Sequence, residues 1–161
     1  MAVEDKYVIL GTYPNAISAN AGGSGDLRKS ILSFEVAAAD DDGSVYRLMQ
    51  INANSIISDI KIGNDAITAG TSYDIGFYDV ESGAVVDKDE LAATLDLSSA
   101  HASGSELSGI SAVDVANRGK KVYELLGLTS TTKAVAYDLC ITANTVGTAA
   151  GTITVFIEWI A

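Results

Sequence analysis

Residues 133–143 read KAVAYDLCITA, and their alternation of larger apolar side chains with smaller or polar ones is typical of a β-strand. Successive side chains of a strand point to opposite faces, so every second residue lies on the same face. One face would carry Val135, Tyr137, Leu139 and Ile141. The stretch therefore predicts a strand whose more apolar face packs on a core.

The same alternation recurs on both sides of this stretch. The further segments are RKSILSFEVA (28–37), VYRLMQI (45–51), SIISDIKI (55–62), TSYDIGFYDV (71–80) and GTITVFIEWIA (151–161). In SIISDIKI we expect Ile56, Ile60 and Ile62 to share the core face. Short alternating segments separated by Gly, Asp, Asn and Ser turns predict an all-β fold, an antiparallel β-sandwich or jelly roll.

Two short helical turns are expected between the strands. Residues 87–90, DKDE, have the form of a capping box, and Leu91 and Leu95 follow at the i, i+4 spacing of a helix. A second helix, beginning near residue 111, would carry KKVYELL (120–126) and end at Gly127, a common residue after a helix C-terminus.

The first 25 residues differ from the rest. YVILGTY (7–13) is apolar enough for a short strand, and NAISANAGGSG (15–25) has the small residues of a linker. We predict an N-terminal arm over residues 1–25 and a single β-sandwich domain over residues 26–161. A chain of 161 residues is long enough to bury one substantial core.

Composition narrows the classes of function. The net charge of −11 would repel a phosphate backbone, so we expect no direct binding to nucleic acid. Cys140 is the single cysteine, which excludes an intrachain disulfide, and its apolar surroundings predict a small buried side chain. No apolar run approaches the length of a membrane span, and no signal peptide is recognisable. We expect synthesis in a cytoplasm and no membrane partner.

The acidic stretch SYDIGFYDVESGAVVDKDE (72–90) invites comparison with a metal or acid/base site. In a regular strand Asp74 and Asp79 point to opposite faces, so they cannot converge on one ion. Asp87 and Glu90 are explained by helix capping. We therefore expect solvated and capping carboxylates here, with Ile75 and Phe77 in the core and Asp79 at the strand end in reach of water.

The remaining candidates for chemistry are weak. Asp40-Asp41-Asp42-Gly43 is not an EF-hand loop, because the twelfth residue from Asp40 is Ile51 and not glutamate. It is better explained as a hairpin turn with three solvated acids, and a weak calcium site that is not of the EF-hand type stays open. His101, the single histidine, lies in SSAHASGSE and is expected to be an exposed loop residue. The sequence predicts no catalytic residue, no cofactor and no metal site, and hence a protein that is not an enzyme.

Several segments together resemble a known family. They are GDLRKSILSFEVAAADDDGSVYRL (25–48), DAITAGTSYDIGFYD (65–79), GAVVDKDELAATLDLSSA (83–100), KKVYELLGLTS (120–130) and GTAAGTITVFIEW (147–159). In this order they resemble the small head decoration, or cement, proteins of tailed bacteriophages. Relatives often carry a proline where this chain has INANSI (51–56), so that connection is expected to differ.

The resemblance implies a virion structural protein on the outside of a phage head, made in the bacterial host. Its implied partners are the major capsid protein and further copies of itself, as a dimer or trimer. It would stabilise contacts between shell subunits, and the resemblance transfers no catalytic residue.

The predicted contact residues lie in the arm: Tyr7, Val8, Ile9, Leu10 and Tyr13. They are too apolar for a free tail, so they would add a strand to a shell subunit or to a neighbouring copy. Alternatively, they form the first strand of the chain's own sandwich.

Two other functions remain open from the sequence. A lectin-like carbohydrate-binding module, or another virion adhesion component of tail or fibre, would use exposed rings of Tyr46, Tyr73, Tyr78 and Trp159 as stacking platforms. A hydrolase would be built around His101.

Overall fold

The computed structural model describes residues 5–7, 26–106, 115–129 and 135–161, which form nine strands and one short helix. In chain order these are β1 (Asp5–Tyr7), β2 (Leu27–Val36), β3 (Val45–Asn52), β4 (Ile56–Asn64), β5 (Ser72–Asp79), β6 (Val85–Leu95), β7 (His101–Glu106), α1 (Val122–Leu125), β8 (Ala136–Thr145) and β9 (Gly151–Ile160).

The strands form two sheets. One has the order β1-β3-β8-β5-β6 and the other the order β2-β9-β4-β7. Every neighbouring pair is antiparallel except β1, which runs parallel to β3. The prediction of an all-β sandwich is confirmed.

The core lies between the two sheets and follows the predicted alternation. Tyr137, Leu139 and Ile141 of β8 are buried in it, and so are Ile75 and Phe77 of β5, as expected. The prediction that Val135 shares the core face of β8 was wrong, because Val135 precedes the strand and is 75% exposed. The second sheet contributes, among others, Leu32, Phe34, Val36, Ile153, Val155 and Ile157. Alternating inward side chains from two sheets are what holds a β-sandwich together.

Strand β4 departs from the predicted face. Its register against β9 shifts between Ile57 and Asp59, so one extra residue is inserted there. Ile57 is therefore buried, whereas Ile56 is only half-buried. The prediction that Ile56 faces the core with Ile60 and Ile62 was wrong, because a β-bulge reverses the alternation on one side of it.

The helix predicted from DKDE (87–90) was also wrong, because this stretch belongs to strand β6. β6 pairs with β5, and the pairing passes from Ile75 opposite Ala92 to Phe77 opposite Asp87. Residues 88–91 thus oppose Gly76 alone, so four residues of β6 bulge out opposite one residue of β5. Residues on both sides of this bulge pair with β5, so the chain stays extended through DKDE and tertiary pairing overrides the capping signal.

The second predicted helix exists but is short. α1 begins at Val122, where the Glu124 carboxylate accepts a hydrogen bond from the Lys121 amide, and Gly127 follows with a φ of +68°. Residues 115–119, which the prediction placed inside this helix, form turns. Among the described residues no helix is long and apolar enough to cross a bilayer.

The two ends of the sandwich are closed differently. At the α1 end, the amides of Val122 and Tyr123 donate to the carbonyls of Ser55 and Ala53. At the opposite end, the fully buried Ile67 lies on a loop between β4 and β5. We call this the Ile67 end.

Candidate contact surfaces

Arg47 of β3 anchors a buried polar cluster on the outer face of the five-stranded sheet. Its guanidinium donates to the Asp138 carboxylate at 3.0 Å and to the Gly83 carbonyl at 3.2 Å, and it lies over the Tyr78 ring. The Tyr78 hydroxyl is in turn 2.6 Å from that of Thr142. The turn between β5 and β6 thus covers a charged pair that the sequence did not reveal.

A second ion pair of this outer face joins Asp74 of β5 to Lys88 of the β6 bulge at 2.9 Å. Asp74 also accepts a hydrogen bond from the Thr94 amide, and Lys88 donates to Asn144. Burial alone would raise the pKa of Asp74, but hydrogen bonds from Asn144, Thr94 and Lys88 outweigh it and hold that pKa below its usual value.

The acidic stretch therefore divides differently from the prediction. Asp74 is buried and paired rather than solvated, because the bulge of β6 folds over it. Asp79 does end its strand, as predicted, and accepts hydrogen bonds from the amides of Glu81 and Ser82. Asp87 and Glu90 cap no helix. Burial raises the pKa of both carboxyls, and neighbouring acids add to the effect.

The acids of residues 40–42 are likewise more structural than predicted. Asp40 is buried, accepting hydrogen bonds from the Tyr46 hydroxyl at 2.7 Å and from the Ala37 amide. Asp42 accepts from the Val146 amide. The prediction of three solvated acids was wrong for Asp40. In the described ranges, no three His, Cys, Asp or Glu side chains lie close enough together to hold a metal ion.

His101 was expected in a loop, but it begins strand β7. It is exposed, and its Nδ1 lies 2.7 Å from the amide oxygen of Asn64. The Asn64 amide nitrogen lies within 3.0 Å of three backbone carbonyl oxygens, which share its two hydrogens. The contact of His101 is thus with an amide oxygen, whereas in a Ser-His-Asp arrangement the histidine is oriented by a carboxylate.

The four aromatic residues proposed as stacking platforms are all buried. Tyr46, Tyr73, Tyr78 and Trp159 expose between 0% and 7% of their surface. Burial raises the pKa of Tyr73 to about 12, which reflects the same lack of solvent. None of the four rings offers a face to a sugar, so the residue basis of the lectin-like alternative was wrong. Cys140 is buried, as predicted.

Exposed apolar side chains concentrate at the α1 end. Val135, which directly precedes β8, is 75% exposed, and Val115, in the turns that lead to α1, is 90% exposed. Leu27 starts β2 opposite Ile160, and Val85 and Val86 start β6. Exposed apolar groups gathered at one end of a domain are typical of a contact surface.

Among the described residues, strand β2 is a second exposed apolar feature, because it forms an edge of the four-stranded sheet. Its outward side chains are Leu27, Lys29, Ile31, Ser33 and Glu35, all exposed. Ile31 is 58% exposed, although it is a large apolar residue.

The predicted arm residues are only partly described. Tyr7 belongs to β1, whose backbone pairs with β3 opposite Arg47. Val8, Ile9, Leu10 and Tyr13 lie outside the described residues, so the arm and its contacts stay a prediction.

Two solved structures contain chains with this fold over nearly the whole length. A chain of "Capsid of Ralstonia phage GP4" matches with a TM-score of 0.58 and 16% identity, covering 92% of each chain. A chain of "Cyanophage Pam1 capsid asymmetric unit" matches with a TM-score of 0.52 and 11% identity, covering 93% of this chain and 96% of the other. No protein-family profile and no curated protein matches the sequence. At these identities the similarity establishes a common fold.

Proposed function

We propose that this chain is a structural, non-enzymatic protein of a bacteriophage virion that decorates the outside of the head. The observation that carries the proposal is the full-length match to chains of two phage capsid structures. Coverage above 90% of this chain and of each matched chain means that the match extends over the whole sandwich.

Surface charge supports a position outside the shell. The chain carries 21 acidic and 10 basic residues, so it repels the packaged DNA that an interior protein would meet. The decoration role specifies a partner, the major capsid protein, and self-association as a dimer or trimer.

The α1 end is the surface that we assign to the shell. Its exposed apolar residues Val115 and Val135 would lose contact with water on docking, which supplies about 25 cal/mol per Å² buried. Of the predicted arm residues, Tyr7 pairs within the chain's own sheet, and Val8, Ile9, Leu10 and Tyr13 would add a strand to the same partner.

Stabilisation of the shell then follows from mass action. A protein that binds the assembled shell but not its dissociated subunits stabilises the assembly by about 2.7 kcal/mol per site at a free concentration of 100 times its Kd. Cement activity requires no chemistry and no cofactor, only a surface that spans neighbouring subunits.

The test is binding to capsids that lack the protein, measured by co-sedimentation. We expect saturable binding to assembled shells and none to free subunits, with the double variant Val115→Asp/Val135→Asp binding at least about tenfold more weakly because two charges are placed in an apolar contact. Thr148→Asp, an exposed change in the loop between β8 and β9 at the Ile67 end, is the control and should bind normally. Ile9→Ser/Leu10→Ser tests the arm separately.

Absence of binding by the folded parent protein would refute the decoration role. Normal binding by the α1-end variant would refute the assigned surface but not the role. Equal binding to free subunits would contradict the mass-action mechanism.

A further inference from the structure

The long edge strand β2 carries the features of a self-pairing surface. It pairs with β9 through ten consecutive residues without a register shift, so its opposite edge is straight. The other described edge strands are less suited to pairing with a second chain. β1 has only three residues, β6 carries the four-residue bulge, and the register of β7 shifts against β4. Straight, long edges without bulges or proline are the ones that pair with another chain.

We propose that β2 pairs antiparallel with β2 of a second copy, which joins the two four-stranded sheets into one eight-stranded sheet. The proposal rests on the self-association included in the proposed function, and it does not depend on shell binding. It also fixes the register of the pairing.

Charge selects the register. Residues directly opposite each other in an antiparallel pair have their side chains on the same face of the sheet. A two-fold axis that relates two copies of β2 must therefore pass through one residue position, which then lies opposite itself, and not between two neighbouring positions. With the axis at Leu32, Lys29 of each copy lies opposite Glu35 of the other, and both are exposed on the outer face. An axis at Ile31 would place Lys29 opposite Ser33, and an axis at Ser33 would place Glu35 opposite Ile31. Only the axis at Leu32 forms two symmetric ion pairs.

The side chains available for this pairing fit it. Lys29 already contacts Glu158 of β9 at 2.9 Å, and a lysine at 54% side-chain exposure has room for a second carboxylate. The two copies of Ile31 would lie on a diagonal across the axis, within about 7–8 Å, so each covers the other's exposed surface. The half-buried Leu32 would meet its own copy on the inner side.

A copy related by a two-fold axis fits this edge better than a copy related by translation. A copy related by translation would bring its β7 edge, not its β2 edge, against β2, and such a head-to-tail contact leads to open fibres rather than closed dimers. The two-fold arrangement uses the edge of both copies and leaves no free β2 edge.

Sedimentation of the full chain without capsids tests the charge pairing. We expect a dimer whose Kd rises at least about tenfold in Glu35→Lys, because two attractive pairs become repulsive. The charge swap Lys29→Glu/Glu35→Lys, combined with Glu158→Lys so that residue 29 keeps an oppositely charged neighbour on β9, should return the Kd to within about threefold of the parent value, since it restores both pairs. A purely structural role of either residue would not produce this rescue.

Cysteine cross-linking tests the register independently. Cα atoms opposite each other are about 4.5–5.5 Å apart, which suits a disulfide, so Leu32→Cys should cross-link under oxidation. The two copies of Leu27→Cys would be roughly 30 Å apart and should not. Cross-linking through the native cysteine should be low, because Cys140 is buried.

A monomeric full chain, a Kd unchanged by Glu35→Lys, or equal cross-linking of the two cysteine variants would overturn the proposal. Capsid binding by Glu35→Lys is a separate readout. A variant that is monomeric yet binds shells leaves the decoration role standing, whereas a dimer that binds no shell removes that role and keeps the pairing.

Discussion

Gly76 shows how a single missing side chain permits the β6 bulge. A Cβ at this position would overlap the Asp87 carbonyl oxygen and the Lys88 carbonyl carbon. The bulge can therefore lie flat on β5 only where β5 has no side chain, and there it brings Lys88 to Asp74. Backbone atoms cannot turn away as a flexible side chain can.

Gly76→Ala should lower the free energy of unfolding by about 3 kcal/mol, because β6 has to lift from β5 to accommodate the methyl group. Gly119→Ala is the matched control. Gly119 has open space around it but a φ of +83°, so its replacement should cost only about 1–2 kcal/mol of backbone strain. Urea unfolding measures both values, and an equal loss for the two variants would contradict the overlap at Gly76.

Asp74 makes the stability depend on pH. Its pKa is lowered in the folded chain, so its ionised form contributes stability above the unfolded pKa of about 3.9, and this contribution is lost as pH falls through the lower folded value. Asp74→Asn should therefore cost about 2 kcal/mol at pH 7, because the buried hydrogen bonds to a charge are weakened.

The stability difference between the parent protein and Asp74→Asn should shrink below about pH 4, as the parent carboxyl becomes protonated. Chemical unfolding at a series of pH values measures this difference. Asp59→Asn removes a partly exposed carboxylate that pairs with Lys61, and it should cost less than about 1 kcal/mol. If the difference in unfolding free energy between the parent protein and Asp74→Asn stays constant down to the lowest pH, the charge of Asp74 contributes nothing to stability.

At the scale of elements, the Ile67 end is a loop held by close packing. Added Cβ atoms at Gly70 and Gly151 would each come within 2.7 Å of the Ile67 side chain, and one at Gly147 within 2.5 Å. The loop backbone is also bonded to its neighbours, with the Ile67 amide donating to Leu97 and the Thr148 amide to Thr68. Three glycines thus leave a space that one isoleucine fills.

The effects of substitutions at Ile67 and at the glycines around it on the free energy of unfolding should not add. Ile67→Ala should cost about 2–5 kcal/mol by leaving a cavity, and Gly151→Ala about 1–3 kcal/mol by overpacking. The double variant should lose at least about 1 kcal/mol less than the sum, since the added methyl group occupies space that the smaller side chain vacates. Thermal and urea unfolding of the four proteins complete the cycle, and strict additivity would contradict the contact.

The elements also show where sequence patterns stop being sufficient. β8 was predictable because its alternation is uninterrupted from Tyr137 to Thr142. The bulges of β4 and β6 were not, since an inserted residue leaves no mark in composition and is selected by the partner strand. The capping-box pattern of residues 87–90 is a local signal, and pairing with β5 overrode it.

At the scale of the whole molecule, the class of fold was predictable from short segments of alternating apolar and polar residues separated by turns. The contact surfaces were not predictable in this way. The exposure of Ile31 and Val135 depends on which strand is an edge and which segment begins a sheet. These are properties of the strand order, which is non-local. The buried pair of Arg47 and Asp138 was hidden for the same reason, because residues 91 positions apart meet only after the sheet has formed.

The strand order also sets the sequence of events during synthesis. β2 pairs with β9, and Leu27 meets Ile160 across most of the chain, so β2 has no described partner within its own sheet until the ribosome has made β9. At 5–20 residues per second this delay is on the order of 10 s. Loop closure over such a separation makes folding slow, with the sheet closing late and the β2 edge exposed while other nascent chains grow nearby on the same message. We therefore expect the yield of folded protein to depend on translation rate and chaperone supply as well as on final stability.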